Sequence, residues 1–191
     1  MKYNILAISD TEPVSLEEMR SQLGITAADD TARDDSIERA ISSARAWAES
    51  FTESAVVTQT RAQYYSAFPD YFKLSAPLQS VGSIKYLDTD GIEQILDAAD
   101  YIIDILNAEV HPGYEVNWPD ARLQINSISI EYDSGYESPE ETSLLYKQAI
   151  IIVVSHWEKY FDLSESNSYI GRIPAVAEDL IRRFKPGGEM V

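Results

Sequence analysis

The spacing of apolar residues changes twice along this chain, and that change limits the folds open to it. In the first part of the chain apolar side chains recur at helical spacing. From Ala55 to Tyr136 the period becomes two, which is typical of half-buried strands, and from Ser138 the helical spacing returns. We therefore predict an α+β fold with helices at both ends of the chain and a β-rich section between them. The predicted boundaries are 1–54, 55–137 and 138–191.

The N-terminal part of the chain carries the signals of two helices. Ser15 stands at a cap position with Glu18 three residues later, and Gly24 follows as a stop, so a short helix is expected between them. Asp35 and Glu38 repeat the same capping box in acidic form at the start of a second helix. The apolar residues of this second helix form one stripe: Ile37, Ala40, Ile41, Ala44, Trp47, Ala48 and Phe51.

The middle of the chain predicts strands joined by tight turns. Runs such as VTQTRAQY and SISIEY alternate between the two faces of a strand. The segment Asp88–Gly91 (DTDG) suits a type I turn closed by a left-handed glycine, so it predicts a hairpin. The apolar residues Leu123 and Ile125 are odd-numbered, whereas Ile128 and Ile130 are even-numbered, and this slip predicts a β-bulge near Asn126 or Ser127.

A long and unusually apolar helix is expected after the strands. Ser138, Pro139 and Glu141 form a strong helix start, and helical spacing continues to about Phe161. One apolar stripe consists of Leu145, Ala149, Ile152 and His156. A second stripe beside it consists of Tyr146, Ile150, Val153, Trp157 and Phe161. A helix this apolar is buried on several sides, by the β-rich section or by a neighbouring subunit.

The last helix is expected to begin at Pro174, after the polar segment LSESNSYIG. Its apolar face consists of Ala177, Leu180, Ile181 and Phe184. Acidic residues lie early in this helix and Arg182, Arg183 and Lys185 lie late, which matches the helix dipole.

The composition describes an acidic chain without cysteine. Its 191 residues contain 15 Lys and Arg against 32 Asp and Glu, a formal net charge of −17. Such a charge repels phosphate backbones, so tight nonspecific nucleic-acid binding is disfavoured. The longest apolar run, Ala149 to Val154, is far shorter than the ~20 residues that span a bilayer. The absence of cysteine fits a reducing compartment and excludes disulfides and thiolate metal sites.

Chemical motifs are scarce. The chain has two histidines, of which His111 is expected in a loop and His156 in the core or an interface. No G-x-S-x-G, H-E-x-x-H or Walker motif occurs. Asp88, Asp90 and Glu93 superficially resemble a calcium loop, but their flanks read as strands, which favours the hairpin turn. We therefore predict no catalytic, cofactor-binding or metal-binding residue. An acidic hydrolase or metal-binding protein, and an anionic DNA mimic, remain as alternative functions.

The order of several segments resembles the head-to-tail connector family of tailed bacteriophages. The segments are EPVSLEEMRSQLGI, DDSIERAISSARAWAESFTESAVVTQT, LSAPLQSVGSIKYLDTDG, DYIID, NWP, ISIEYDSGY and KQAIIIVVSHWEKYF. Together they cover nearly the whole chain. The most specific are the EPVSLEE start, the helix that ends in VVTQT, the PLQSVGSIKYLDTDG hairpin and the EYDSGY strand end.

The resemblance implies a small helical bundle from the N- and C-terminal helices with a central β-rich insertion. It also implies a structural head-completion or portal-adaptor protein in the virion neck, assembled in the host cytoplasm, and neither an enzyme nor a cofactor-binding protein. It implies a closed ring of about a dozen copies in the virion, with the portal protein above, a stopper or tail-completion protein below and DNA passing through. It leaves open whether the chain is a monomer before it joins the ring. Tyr146, Val153, Trp157 and Phe161 are the candidate subunit interface. The other stripe, Leu145, Ala149, Ile152 and His156, is the candidate core of the bundle, although the two assignments could be exchanged. Arg182, Arg183 and Lys185, within Pro174–Val191, are the candidate portal-docking residues.

Overall fold

The computed structural model describes residues 3–26, 33–161 and 173–185, and the side chains of residues 160 and 161 are outside that description. Within these residues the chain forms four α-helices and two antiparallel sheets, which confirms the α+β prediction. The chain divides into two compact units. The sheet unit comprises residues 1–9 and 58–136, and the helical unit comprises residues 10–57 and 137–191.

The sheet unit contains eight strands among the described residues. They are β1 (Tyr3–Ile8), β2 (Gln59–Tyr65), β3 (Phe72–Lys73), β4 (Leu78–Leu87), β5 (Glu93–Ile95), β6 (Tyr101–Asp104), β7 (Glu109–Pro112) and β8 (Ile128–Ser134). Five of them form one sheet in the order β1-β2-β8-β4-β5, and the other three form a second sheet in the order β3-β7-β6. All the pairings are antiparallel.

The core of the sheet unit draws side chains from both sheets. Its buried residues are Phe72, Leu74, Leu78, Ile84, Leu96, Ala108, Val110, Ile128, Ile130 and Tyr132. Phe68 extends this core, because its ring stacks on Trp118 with centroids 5.3 Å apart and meets Tyr86 edge-on at 5.6 Å. The aromatic residues around Phe68 and Phe72 therefore serve packing.

The turn at Asp88–Gly91 forms as predicted. The Gly91 N–H donates to the Asp88 carbonyl at 2.9 Å, and Gly91 has φ 84°, a left-handed conformation that favours glycine. The Asp88 carboxylate also accepts hydrogen bonds from the N–H groups of Asp90 and Ile92. The hairpin that pairs β4 with β5 follows from this local geometry.

Two details of the sheet unit differ from the predictions. The expected bulge near Asn126 is wrong, because residues 124–127 form a turn in which the Ser127 N–H donates to the Gln124 carbonyl. Asn126 has φ 58°, and Ile125 is 79% exposed. The change from odd- to even-numbered apolar residues therefore marks a turn before β8. Strand β1 was not predicted, because its sequence YNILAI lacks the alternation of a half-buried strand.

The helical unit contains α1 (Leu16–Leu23), α2 (Asp34–Thr52), α3 (Leu144–Phe161) and α4 (Ala175–Ile181). Helix α3 packs against each of the other three helices. Their buried faces supply the core: Met19, Ile37, Ile41, Ala44, Ala48, Tyr146, Ala149, Ile150, Val153, Val154, Ala177 and Ile181. The buried stripe of α2 agrees with its helical spacing in the sequence.

The helix starts show which local signals the chain uses. The Ser15 hydroxyl accepts from the Glu18 N–H at 3.1 Å, and Gly24 has φ 69°, so both ends of α1 are as predicted. The acidic capping box at Asp35 is wrong, because α2 begins at Asp34 and Asp35 already lies within its first turn. The Asp34 carboxylate binds the Arg20 guanidinium at 2.9 Å, which joins α2 to α1.

Helix α3 begins at Leu144, five residues later than the predicted first position, Pro139. Ser138 starts a turn in which the Thr142 N–H donates to the carbonyls of Ser138 and Pro139. The Ser143 hydroxyl then accepts from the Leu145 N–H at 3.3 Å, as an N-cap does. The chain thus offers two successive serine caps, and the helix uses the second. The 18 residues of α3 are about 27 Å long.

Candidate functional site

The inner face of α3 is buried by the other helices of its unit. Tyr146 is 1% exposed, and its hydroxyl donates to the Thr52 Oγ1 at 3.1 Å. Its ring stacks on Phe184 with centroids 4.6 Å apart. Val153 is fully buried. Two of the four residues predicted for the subunit interface therefore belong to the core of the helical unit, because α2 and α4 cover that side of α3.

The remaining residues of the two stripes lie nearer the surface. Trp157, from the predicted interface, is half-buried, and the side chain of Phe161 lies outside the described residues. In the other stripe Leu145, Ile152 and His156 are half-buried, whereas the fourth member, Ala149, is fully buried. We call the four half-buried residues of the two stripes, Leu145, Ile152, His156 and Trp157, the rim of α3.

The three predicted docking residues are exposed at the end of α4. Arg182 lies 3.4 Å from Asp179 and 3.9 Å from Glu178. The Arg183 guanidinium lies 5.7 Å from the ring centroid of Phe184. The Lys185 ammonium lies 5.4 Å from the ring of Phe51 on α2. Exposed pairs of this kind contribute little to folding, so the cations are available to a partner. Residues 186–191 of the predicted docking segment lie outside the described residues.

The two outer strands of the five-stranded sheet expose apolar side chains. Strand β1 carries no charged residue, and its Ile5, Leu6 and Ile8 are 49%, 53% and 43% exposed. At the opposite edge, Ile95 of β5 is 68% exposed and the preceding Ile92 is 60% exposed. Among the described strands β1 pairs with β2 alone and β5 with β4 alone. Each of these two strands therefore has one side whose backbone N–H and C=O groups pair with no other described strand.

The hairpin between β6 and β7 forms a second exposed apolar feature. Leu106 at its tip is 92% exposed, and Ile102 and Ile105 are 54% and 58% exposed. The Asp104 carboxylate accepts from the backbone N–H and the side-chain amide of Asn107, and these hydrogen bonds lower the pKa of Asp104. The tip is thus an exposed apolar loop whose turn is stabilised by the hydrogen bonds from Asn107 to Asp104. Neither this tip nor the exposed sheet edges were predicted from the sequence, although runs such as YIIDIL lack polar alternation.

Asp88, which the sequence singled out, and Glu109, which it did not, both have structural partners. A hydrogen bond from the Gln94 side chain and others from backbone N–H groups hold the pKa of Asp88 below its usual value. Lys73 at 2.9 Å, and then His111 at 3.0 Å, lower the pKa of Glu109. Within the described residues no group of three His, Asp or Glu side chains is placed to hold a metal ion.

His111 lies in β7, so its predicted loop position is wrong. Its ring stacks on Tyr71 with centroids 5.0 Å apart. The proline and glycine that follow it mark the end of a strand and not an extended loop.

One open cavity, of about 510 Å³, lies in the helical unit. Its Glu12 carboxylate binds the Arg45 Nε at 2.8 Å, and its Ser15 hydroxyl is the α1 cap. Two of its polar groups are therefore engaged in the fold. The cavity is lined by Asp10, Thr11, Glu12, Val14, Ser15, Leu16, Glu38, Ile41 and Pro139. None of the described helices is long and apolar enough to cross a bilayer.

Comparison with solved structures finds this fold in a gene transfer agent (GTA) particle. A chain in the neck of the empty particle, computed with C6 symmetry, has a TM-score of 0.73 and 19% identity over 97% of this chain and 95% of that one. A chain in the virion of the native particle has a TM-score of 0.75 and 20% identity over the same shares of both chains.

A third similar chain lies in the neck of the native particle, computed with C12 symmetry, with a TM-score of 0.70, 19% identity and the same coverage. A scan against protein-family models and a search of curated proteins found no match. The chain therefore shares its fold with chains of a gene transfer agent particle, and the connector family stays a prediction.

Proposed function

We propose that this chain is a structural subunit of a phage head-to-tail connector, a ring below the portal that continues the DNA channel towards the tail. The observation that carries the proposal is the fold shared, over 97% of the chain, with chains of a particle neck. In this proposal the chain acts through protein contacts, with the portal on one side and a stopper or tail-completion protein on the other, and it catalyses no reaction. Its place is the virion neck.

The charge of the chain is compatible with a DNA channel. A wall that carries a net negative charge repels the phosphate backbone and leaves DNA free to slide, whereas a basic wall retains it. With 15 basic and 32 acidic residues, the chain as a whole suits the first case.

The rim of α3 and the end of α4 supply the two kinds of contact that a connector subunit requires. The rim residues Leu145, Ile152, His156 and Trp157 are partly apolar and half-buried, as expected of a surface that packs against another protein. Arg182, Arg183 and Lys185 give an exposed cationic end that suits an acidic partner surface. We assign portal docking to these three cations.

Size measurement by light scattering, on the chain alone and mixed with its portal protein, tests the proposed function. We expect a ring of this chain in complex with the portal, whether or not the free chain is monomeric. A chain that neither binds the portal nor forms a ring in its presence contradicts the proposal.

The docking role is tested by reversing two charges. Arg182→Glu with Arg183→Glu is expected to weaken portal binding by about tenfold or more, because the interaction between opposite charges becomes repulsion. Arg39→Glu with Arg122→Glu is the matched control, since both residues are exposed and the net charge changes equally. Equal binding by the two variants removes Arg182 and Arg183 from the docking surface.

A further inference from the structure

The segment that precedes α3 carries two competing helix starts. In the sequence, Ser138 at a cap position, Pro139 at the first helical position and Glu141 at the third form a complete start signal. In the structure α3 begins at Leu144 instead, and the Ser143 hydroxyl is its cap. We call this arrangement the short form of α3.

The earlier of the two starts is present as one isolated helical turn. The Thr142 N–H donates to the Ser138 carbonyl at 3.3 Å, which is the i to i−4 hydrogen bond of an α-helix, and the Glu141 N–H donates to the same carbonyl at 3.2 Å. The pattern then breaks, because the Leu145 N–H donates to the Ser143 hydroxyl. In a continuous helix this N–H donates to the Glu141 carbonyl. The change that joins the turn to α3 is therefore centred on Ser143.

The contacts of the turn favour the short form in some places and leave room for change in others. The Ser143 cap and the burial of Thr142, which is 3% exposed, stabilise the short form. In contrast, Pro139 lines the open cavity of about 510 Å³, so this part of the turn borders free space. The Glu140 carboxylate accepts hydrogen bonds from its own N–H and from the Ser138 hydroxyl, and both lower its pKa. The turn thus already contains the groups of a helix N-terminus.

We propose that α3 is a two-state element, with the short form in the free chain and an extended form, which begins at Pro139 behind a Ser138 cap, in the assembled ring. The residues from Pro139 to Ser143 lengthen the helix by about 7.5 Å. They add more than one turn next to the rim of α3, to which we assign a protein contact. A partner that covers the added turn binds the extended form more tightly, and this difference in affinity drives the change. The inference rests on the proposed ring function and specifies what assembly does to each subunit.

Leu144→Pro separates the two forms. Residue 144 is the first helical position of the short form, where proline is favoured. In the extended form it lies inside the helix, where proline removes the hydrogen bond to the Glu140 carbonyl. The Leu144 side chain is 79% exposed, so the substitution removes no buried contact. We expect Leu144→Pro to keep the thermal midpoint of the free chain and to lower its affinity for the portal by about tenfold or more.

The matched control is Leu144→Ala, which removes the same exposed side chain but is compatible with both forms. It is expected to bind the portal as the wild-type chain does, because alanine is favourable inside a helix. Light scattering and a binding titration with the portal protein measure assembly and affinity for each variant.

Ser143→Ala shifts the balance in the opposite direction. Loss of this cap disfavours the short form alone, so the affinity for the portal is expected to rise by about fivefold. Ser143→Asn is its control, since asparagine also caps helices and is expected to give no rise. A substitution that only damages the fold would not raise the affinity.

Hydrogen exchange gives a direct readout of the helix itself. In the extended form the N–H groups of residues 143–145 donate to the carbonyls of residues 139–141. Their exchange, measured by mass spectrometry on the wild-type chain with and without the portal, is expected to slow by about tenfold or more on assembly.

The outcomes separate this inference from the proposed function. A wild-type ring with equal affinities for Leu144→Pro and Leu144→Ala overturns the helix extension and leaves the ring function standing, as does unchanged exchange at residues 143–145 in an assembled ring. If Leu144→Pro melts early, Ser143→Ala decides, and an affinity that does not rise overturns the extension. A wild-type chain that forms no ring with the portal contradicts the proposed function and this inference together.

Discussion

At the scale of single residues, the helical unit depends on a buried charge network. Arg45 and Glu49 are 6% and 5% exposed and lie one helical turn apart on α2, with the Arg45 Nη1 2.9 Å from the Glu49 Oε2. The other Glu49 oxygen accepts from the Val56 N–H at 2.9 Å, and Arg45 also binds Glu12. Because these charges are out of water, removal of one partner leaves the other buried with an incomplete set of partners.

Glu49→Ala is expected to lower the free energy of unfolding by about 3 kcal/mol, because it leaves the Arg45 charge and the Val56 N–H without a main partner. Glu12→Ala is the control and is expected to cost clearly less, since its side chain is 27% exposed and water can replace it. Urea unfolding measures both. Equal losses would contradict a special role for the buried carboxylate.

The sequence alone did not distinguish Glu49 from an ordinary exposed helix residue. An acidic residue four positions after an arginine is common on solvated helix faces. Burial of Glu49 depends on the chain returning at Ala55 and Val56, both fully buried, after the end of α2. Ser15 and Gly24 were predictable because their role depends on neighbours within a few residues.

At the scale of elements, α3 shows what apolar spacing can and cannot predict. Two apolar stripes predicted burial on several sides, and the described helix is buried over a wide arc that includes Tyr146, Ile150, Val153 and Val154. The spacing could not say which stripe faces the protomer core, because apolar residues recur at helical spacing in both stripes. The packing of α2 and α4 decides it.

Tyr146→Ala is expected to destabilise the free chain by about 3 kcal/mol or more, because it removes a buried ring and leaves a cavity. Leu144→Ala, on the same helix but 79% exposed, is expected to change stability by less than about 0.5 kcal/mol. Guanidinium unfolding of the free chain measures both values. A small effect of Tyr146→Ala would instead favour its original assignment to a subunit interface.

At the scale of the whole molecule, net charge opposes assembly of like copies while a local cationic end favours docking. The net charge of −17 acts between all copies, whereas Arg182, Arg183 and Lys185 act only on a partner. Salt screens both interactions, since the Debye length falls from ~10 Å at 0.1 M to ~3 Å at 1 M. The two proposed contacts should therefore respond to salt in opposite directions.

Raising the salt concentration is expected to increase self-association of this chain and to weaken its binding to the portal. Analytical ultracentrifugation measures the first and a binding titration the second. The Arg39→Glu with Arg122→Glu variant, being more acidic, is expected to show a steeper salt dependence of self-association. Self-association that decreases with salt would contradict assembly through surfaces of low charge.

The sequence by itself determined the features that depend on near neighbours or on periodicity: the α+β class, the ends of α1, the Asp88–Gly91 hairpin and the apolar face of α2. Tertiary structure alone decided the start of α3, the pairing of β1 with β2 and the inward side of α3. In each of these cases local preferences left two states close in free energy, such as a cap at Ser138 or at Ser143. Contacts with residues distant in the chain then selected one of them, and no short-range pattern records those contacts.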